Sequence, residues 1–157
     1  MPAEKMDLGA GVQVYFRFDP TATWPPVPSE GLWAVPVGDG AYRVQETPFF
    51  VRNTALGDVV AAADDGSGTL WAAERLSWGG HQTVRVNPRA GGPTCAEVLI
   101  ELEALGARGE ELEEYRLLTL DVPPGVVCRP LRERLVAGAD GDRWWFEEAC
   151  IGAGWTA

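Results

Sequence analysis

The first half of the chain alternates apolar and polar residues in short runs, which is the pattern of β-strands. The run at residues 12–18 alternates most regularly, with valines and phenylalanines on one side and glutamine, tyrosine and arginine on the other. Further strand-like runs occupy residues 32–37, 41–46, 58–64, 69–76 and 82–86. Prolines are concentrated between residues 19 and 29, so a loop is predicted there.

Glycine-rich turns divide the middle of the chain. Asp65-Gly66-Ser67-Gly68 separates two of the runs and supplies the positive-φ positions of a hairpin turn. The run at residues 82–86 follows two further glycines and ends before Pro88, because proline cannot donate to a strand ladder. The middle of the chain is therefore predicted to be an antiparallel β-meander.

The second half changes to a helical period. Thr94 and Glu97 have the spacing of a capping box, and apolar residues then recur at three- and four-residue intervals up to the stop at Gly106. A strand at residues 115–122, a second helix that buries Leu131 and Leu135, and a last strand at residues 143–151 follow.

These elements predict an α+β fold. Residues 12–86 would form an antiparallel β-meander or half-barrel, continuous with a ferredoxin-like βαβαβ layer in residues 82–151. Because the strand at residues 82–86 would serve both halves, we expect residues 1–157 to form a single domain.

Composition narrows the class of partner. The chain has 157 residues, 46% of them hydrophobic, with a net charge of -10 and a pI near 4.5. Such a surface repels phosphate backbones and anionic membranes, so we expect neither nucleic-acid nor membrane binding. It attracts a basic protein or peptide, although acidity that serves only solubility is the alternative interpretation.

The cysteines and the start of the chain indicate a cytoplasmic protein. Cys95, Cys128 and Cys150 are odd in number and lack CxxC spacing, and residues 1–7 contain no apolar signal core. One histidine with scattered cysteines is a poor zinc ligand set, and no nucleotide-binding motif is present. We therefore expect no metal and no cofactor.

His81 and Arg85 are the first candidates for chemistry. His81, the only histidine, could act as a general base if Asp58 or Glu74 oriented it, and a solvated turn histidine is the alternative. Arg85 could bind a carboxylate ligand or form a structural pair with one of the same two acids.

Cys95 is a further weak candidate, for a reactive thiol. It lies at the predicted helix N-terminus, where backbone amides favour the thiolate, and a cysteine that only fills the core is the alternative.

Tryptophan is unusually frequent, at seven residues. Trp24, Trp78 and Trp144 are predicted to lie in loops or on the solvent face, and together with Arg85 they are the candidate partner contacts. The other strand tryptophans are predicted to be core residues; they are Trp33, Trp71 and Trp145.

Six short motifs along the chain resemble one bacterial family. They are Gly31-Leu32-Trp33-Ala34, Thr47-Pro48-Phe49-Phe50, Gly57-Asp58-Val59-Val60, Thr83-Val84-Arg85-Val86, Leu105-Gly106 and Trp145-Phe146-Glu147-Glu148-Ala149-Cys150. In this order they are similar to the uncharacterised domain of unknown function 4265, from about Val12 to Cys150. The resemblance implies a standalone domain of this length and brings no established activity.

Two hypotheses for function follow. The first is a non-catalytic acidic protein that binds a basic protein or peptide, in an immunity-like or regulatory accessory role. The alternative is a small-molecule-binding protein or enzyme with a pocket between the two halves, near His81, Arg85 and Trp78.

Overall fold

The computed structural model describes residues 11–156, and these form two compact units that divide between Gly79 and Gly80. The start of the chain, on which the prediction of no signal segment depends, lies outside the described residues. Each unit has its own sheet and its own hydrophobic core.

The first unit is a closed barrel of five strands. They are β1 (Val12–Arg17), β2 (Ser29–Gly38), β3 (Ala41–Val44), β4 (Val59–Asp64) and β5 (Leu70–Ser77). Successive strands pair antiparallel, and β1 also pairs parallel with β5, with Val14 opposite Leu70 and Tyr15 opposite Trp71. The predicted open meander or half-barrel is therefore wrong, because this last pairing closes the sheet on itself.

Strand alternation fills the barrel. Val14, Leu32, Val44 and Val60 are almost fully buried and pack together inside. Outward-facing residues cover the closing seam: the rings of Tyr15 and Trp71 lie 5.9 Å apart. Closure removes the sheet edges that would otherwise be exposed to pairing with other chains.

Two carboxylates hold the irregular segments of the barrel unit. Glu30 accepts hydrogen bonds from the backbone amides of Phe49, Phe50 and Val51 at 2.7, 2.9 and 3.0 Å. The fully buried Asp58 accepts from the amides of Ala55 and Gly79 at 2.9 and 2.7 Å. These bonds satisfy backbone donors that no strand ladder pairs.

The second unit places two helices on one face of a four-stranded antiparallel sheet. Its elements are β6 (Gln82–Pro88), α1 (Cys95–Glu103), β7 (Arg108–Leu112), β8 (Leu117–Val122), α2 (Cys128–Asp140) and β9 (Trp144–Cys150). The strand order is β7-β8-β6-β9. Val98 and Leu102 from α1 and Leu131 and Leu135 from α2 pack in one core with Val84 and other residues of the helix-facing side of the sheet.

The predicted ferredoxin-like βαβαβ layer is also wrong. The unit contains a strand that was not predicted, β7, so its order is strand, helix, strand, strand, helix, strand. Strand β6 pairs with β8 and β9, not with the barrel strands as a shared strand would. The described chain is mostly β, with mixed α and β content as expected, and a single domain over residues 1–157 stays a prediction.

The first helix begins as predicted. The Thr94 hydroxyl accepts a hydrogen bond from the Glu97 amide at 3.1 Å, and the Glu97 carboxylate accepts one from the Thr94 amide at 2.8 Å. This reciprocal pair confirms the capping box, because each side chain satisfies a donor that the helix leaves unpaired.

The last strand reverses the predicted roles of its tryptophans. Trp144 is fully buried and donates from Nε1 to the Leu135 carbonyl at 2.9 Å, whereas Trp145 is 54% exposed. The exposure predicted for Trp144 is therefore wrong. Gly138 of α2 explains which ring turns inward: a Cβ at this position would lie 2.0 Å from the Trp144 ring, so the glycine leaves the space that the indole fills.

Candidate functional site

The candidate site lies on the face of the second sheet opposite the helices. In β6, Val84 and Val86 face the helical core, so Thr83 and Arg85 point to the other face. His81 immediately precedes the strand and lies two residues before Thr83, so it is in step with Thr83 and Arg85 in the strand alternation. The site is unusual because Thr83, Arg85 and their β8 neighbour Asp121 are polar and yet buried.

His81 is bound to Asp121 of β8. Nδ1 of His81 lies 2.8 Å from Oδ1 of Asp121. Burial raises the pKa of the Asp121 carboxyl, and the hydrogen bond to His81 lowers it by less. When Asp121 is ionised it can only accept, so Nδ1–H of His81 donates to it; if the imidazole is neutral, its lone pair is then on Nε2. This is the arrangement in which a carboxylate orients a histidine base.

Arg85 is paired with Glu147 of β9. Its Nε donates to Oε1 of Glu147 at 3.0 Å, and its side chain is only 3% exposed. The structural pairing left open by the sequence is therefore present, although Glu147 takes the place of the predicted Asp58 or Glu74. A guanidinium this deeply buried does not present a contact surface to a protein partner.

Thr83 lies between these two pairs along β6. Its hydroxyl is buried and has no hydrogen-bond partner among residues 11–156. A buried, unpaired hydroxyl costs free energy, so it is a notable feature beside a histidine and a carboxylate. Together the side chains of His81, Thr83 and Asp121 could bind a small polar molecule or transfer a proton.

The remaining catalytic candidates lie elsewhere. In the barrel unit, Asp58 pairs with Arg75 at 3.3 Å and holds backbone amides, and Glu74 is exposed on β5. Neither is the partner of His81 in the Nδ1 hydrogen bond; Asp121 is.

Cys95 does start α1, as predicted, but it is buried. Burial raises the pKa of the thiol, and the nearby Glu111 carboxylate raises it further. This environment disfavours the thiolate that a reactive cysteine requires.

Four of the tryptophans are exposed, and two of them were predicted as partner contacts. Trp24 and Trp78 are exposed, at 46% and 42%, and the Trp24 ring lies 5.5 Å from the ring of Phe50. Trp33 and Trp145, which were predicted to be core residues, are also exposed, and Arg89 stacks over Trp145 at 3.9 Å.

A surface of a different kind lies at one edge of the second sheet. Strand β7 pairs with β8 on one side and with no other strand among the described residues. This strand and the short 3-10 helix that follows it carry four exposed glutamates, Glu110, Glu111, Glu113 and Glu114, which we call the acidic edge. It combines exposed acidic side chains on both faces of the strand with an outer strand side that pairs with no other described strand, although the Gly109 amide there donates to the Glu103 carboxylate at 3.4 Å.

The described part of the chain contains neither a group of side chains arranged to hold a metal ion nor a helix that could cross a membrane. Across residues 11–156, no group of three or more histidine, cysteine, aspartate or glutamate side chains is arranged to hold a metal ion. None of the helices described is both long enough and apolar enough to cross a bilayer.

The fold and the site define a small protein of mixed α and β structure, with a closed barrel and a separate helix-covered sheet. The chain belongs to the family described as Domain of unknown function (DUF4265), which matches residues 30–146. The crystal structure titled "Novel crystal structure of a hypothetical protein from Neisseria gonorrhoeae" is similar, with a TM-score of 0.72 and 22% identity over 91% of this chain and 95% of that one. This likeness shows the fold. No curated protein matches the chain.

Sequence reasoning found His81 and Arg85 but missed their partners. Asp121 and Glu147 are 40 and 62 residues away along the chain. One signal was available: both acids lie in mainly apolar strands, and a buried acid needs a partner. The acidic edge was missed because no strand was predicted between the helix stop at Gly106 and the strand at residues 115–122.

Proposed function

We propose that this protein is a non-catalytic binding protein that takes a basic protein or peptide partner. The acidic edge is the observation that carries the proposal, because it supplies both elements that an extended basic peptide recognises. Its backbone offers a strand side that no other described strand pairs, and its exposed glutamates offer charge complementary to lysine or arginine.

The acidic residues of the chain differ in their roles, and this difference supports the acidic edge as the binding surface. In the barrel unit, Glu30, Asp58 and Asp64 accept hydrogen bonds from backbone amides and so serve the fold. The glutamates at positions 110, 113 and 114 have no such role among the bonds of the described residues. A cytoplasmic setting is consistent with three buried cysteines that form no disulfide among the described residues.

An alternative purpose for the same charges is to keep sheet edges of different copies apart, as charged residues on edge strands commonly do. The two purposes differ in what a basic peptide does. A binding edge pairs with the backbone of the peptide, whereas a protective edge attracts the peptide only as an unstructured cation.

The proposal is tested with a short peptide of alternating arginine and threonine, titrated into the full chain by calorimetry. The double variant Glu110→Gln/Glu111→Gln should weaken binding by about fivefold, since each exposed ion pair contributes modestly. The variant Asp39→Asn/Glu74→Gln removes the same charge from exposed barrel positions and should bind like the wild type.

A second peptide separates the two purposes. Replacing each threonine with proline keeps the charge and removes alternate N–H donors, so strand pairing is lost. The proposal predicts much weaker binding of the proline peptide at equal salt. Equal affinity of the two peptides, or an equal loss in the barrel control variant, would contradict it.

The second candidate function is small-molecule binding or catalysis near His81 and Arg85. The hydrogen bond between His81 and a buried Asp121 favours it. Because the chain has one histidine, the rate at which the ultraviolet absorbance of carbethoxyhistidine appears during treatment with diethyl pyrocarbonate reports that side chain alone. Asp121→Asn should slow the modification if the carboxylate activates the imidazole, and an unchanged rate would remove the support.

A further inference from the structure

We propose that Thr83 and Asp121 bind one internal water molecule, which links the buried threonine to the carboxylate that holds His81. The site lies within the second unit, on the face of its sheet opposite the helices. No residue of the acidic edge belongs to it, so this inference is independent of the proposed function. It also holds whether or not His81 takes part in a reaction.

Thr83 is the residue that carries the inference. Its side chain is fully buried, and its hydroxyl oxygen has no hydrogen-bond partner among residues 11–156. A buried hydroxyl that stays unpaired loses the hydrogen bonds that it makes with water in the unfolded chain, which destabilises the fold. Because a threonine hydroxyl can both donate and accept, a single water molecule is enough to satisfy it.

Asp121 supplies the second partner for this water. In the register of β6 and β8, Thr83 lies directly opposite Asp121. The carboxylate uses Oδ1 to bind Nδ1 of His81 at 2.8 Å, and no donor among the described residues bonds to its other oxygen, Oδ2. Since Asp121 is only 6% exposed, Oδ2 also gains from a donor held at this face of the sheet.

Strand geometry sets the distance between the two groups. Directly opposed residues of an antiparallel pair have Cβ atoms about 4.5 to 5.5 Å apart, and their side chains point to the same face. Thr83 and Asp121 form no direct hydrogen bond with each other. A water molecule with two hydrogen bonds of about 2.8 Å bridges oxygens roughly 4 to 5.5 Å apart. The spacing of the two side chains therefore fits one water.

The chemistry of the two groups favours water over an ion. The Thr83 hydroxyl donates to the water, and the water donates to the Asp121 carboxylate, so every bond has one donor and one acceptor. A hard cation requires more oxygen ligands than these two side chains supply, and residues 11–156 contain no group of three or more acidic, histidine or cysteine side chains arranged for a metal. An anion is repelled by the ionised carboxylate.

The water extends the hydrogen-bond network of the candidate site. His81 and the water bind different oxygens of one carboxylate, so the network runs from the 24% exposed His81 side chain to the fully buried Thr83. Thr83 is then part of the His81 site through the water, although it does not contact the imidazole.

The test is a crystal structure of the full chain at a resolution that shows ordered water. We expect a solvent peak within about 3.2 Å of both Oγ1 of Thr83 and Oδ2 of Asp121. The same peak should be present in Thr83→Ser, which keeps the hydroxyl, and absent from Thr83→Val, which keeps the shape of the side chain and removes the hydroxyl.

Melting temperature gives a second readout with opposite signs for the two possibilities. With a bound water, Thr83→Val removes a bridge and leaves Asp121 without its second donor, so the variant should melt about 2 to 4 °C below the wild type. Without a bound water, the same change removes an unpaired buried hydroxyl and should raise the melting temperature.

Three results would overturn the inference. They are a wild-type structure with ordered solvent elsewhere and no peak that bridges Thr83 and Asp121, a Thr83→Val variant that melts at or above the wild-type temperature, and a folded Thr83→Ser variant that lacks the peak.

Discussion

The two units of this protein stabilise their structures in different ways. In the barrel unit, irregular segments are fixed by carboxylates that accept backbone N–H bonds, as Glu30 does with three successive amides. In the second unit, two regular helices pack apolar side chains onto a sheet, and fit between side chains decides the packing, as at Gly138 and Trp144.

This difference shows where acidic residues are available for recognition. In the barrel unit several acids are part of the fold, and a cavity there is lined in part by arginines. In the second unit the helical core holds the fold, and the glutamates of the acidic edge stay at the surface. Net charge therefore does not locate the charged surfaces, because arginines line the cavity of the barrel unit and glutamates form the acidic edge of the second unit.

The largest expected effect is in the packing of the second unit. Gly138→Ala should lower the free energy of unfolding by about 3 kcal/mol or more, because the new Cβ would overlap the buried Trp144 ring. Helix propensity alone predicts the opposite, a gain of about 1 kcal/mol. Urea unfolding of the variant decides between the two effects.

The control for this prediction is the neighbouring exposed position. Ala137→Gly should cost about 1 kcal/mol, as in any exposed helix interior. A Gly138→Ala variant more stable than the wild type would show that close contact with Trp144 does not limit this helix.

The next effect is in the barrel unit. Glu30→Ala leaves the amides of residues 49–51 without their acceptor, which should cost about 2 to 3 kcal/mol. Glu30→Gln keeps one acceptor oxygen in the same place and should lose about half as much. If both variants unfold at the wild-type urea concentration, carboxylates do not hold this unit in the way described.

The smallest effect concerns the start of α1. Thr94→Ala should cost about 0.5 to 2 kcal/mol, since the hydroxyl that accepts from the Glu97 amide is lost. Thr94→Ser keeps the acceptor and should restore most of the stability. An alanine variant that melts with the wild type would mean that apolar packing alone positions this helix.

Local patterns along the sequence predicted local structure well. Thr94 and Glu97 are three residues apart, so their capping box is visible without knowledge of the fold. The alternation at residues 12–18 likewise identifies β1, because the period of a strand is set by its own backbone.

Features that depend on distant residues were not predictable. The segment Arg-Gly-Glu-Glu-Leu has no strand pattern and becomes β7 through its register with β8. Closure of the barrel depends on the pairing of β1 with β5, between segments that no short-range signal connects. Trp144 and Trp145 are both large aromatics, and only the space at Gly138 decides which one is buried.

The same limit applies to the candidate site. The sequence identified His81 and Arg85 from residue type, but their partners depend on strand register between β6, β8 and β9. An acid on any neighbouring strand would have satisfied the sequence argument, which is why Asp58 and Glu74 were favoured over Asp121 and Glu147.

The most direct test of the central claim is amide hydrogen exchange with and without the alternating arginine and threonine peptide. If the acidic edge binds the peptide as an added strand, exchange should slow at outward-facing amides of residues 109–112 and stay unchanged in the barrel strands. Saturating peptide that slows no amide in β7, or that protects the barrel equally, would contradict the assignment of the binding surface to this edge.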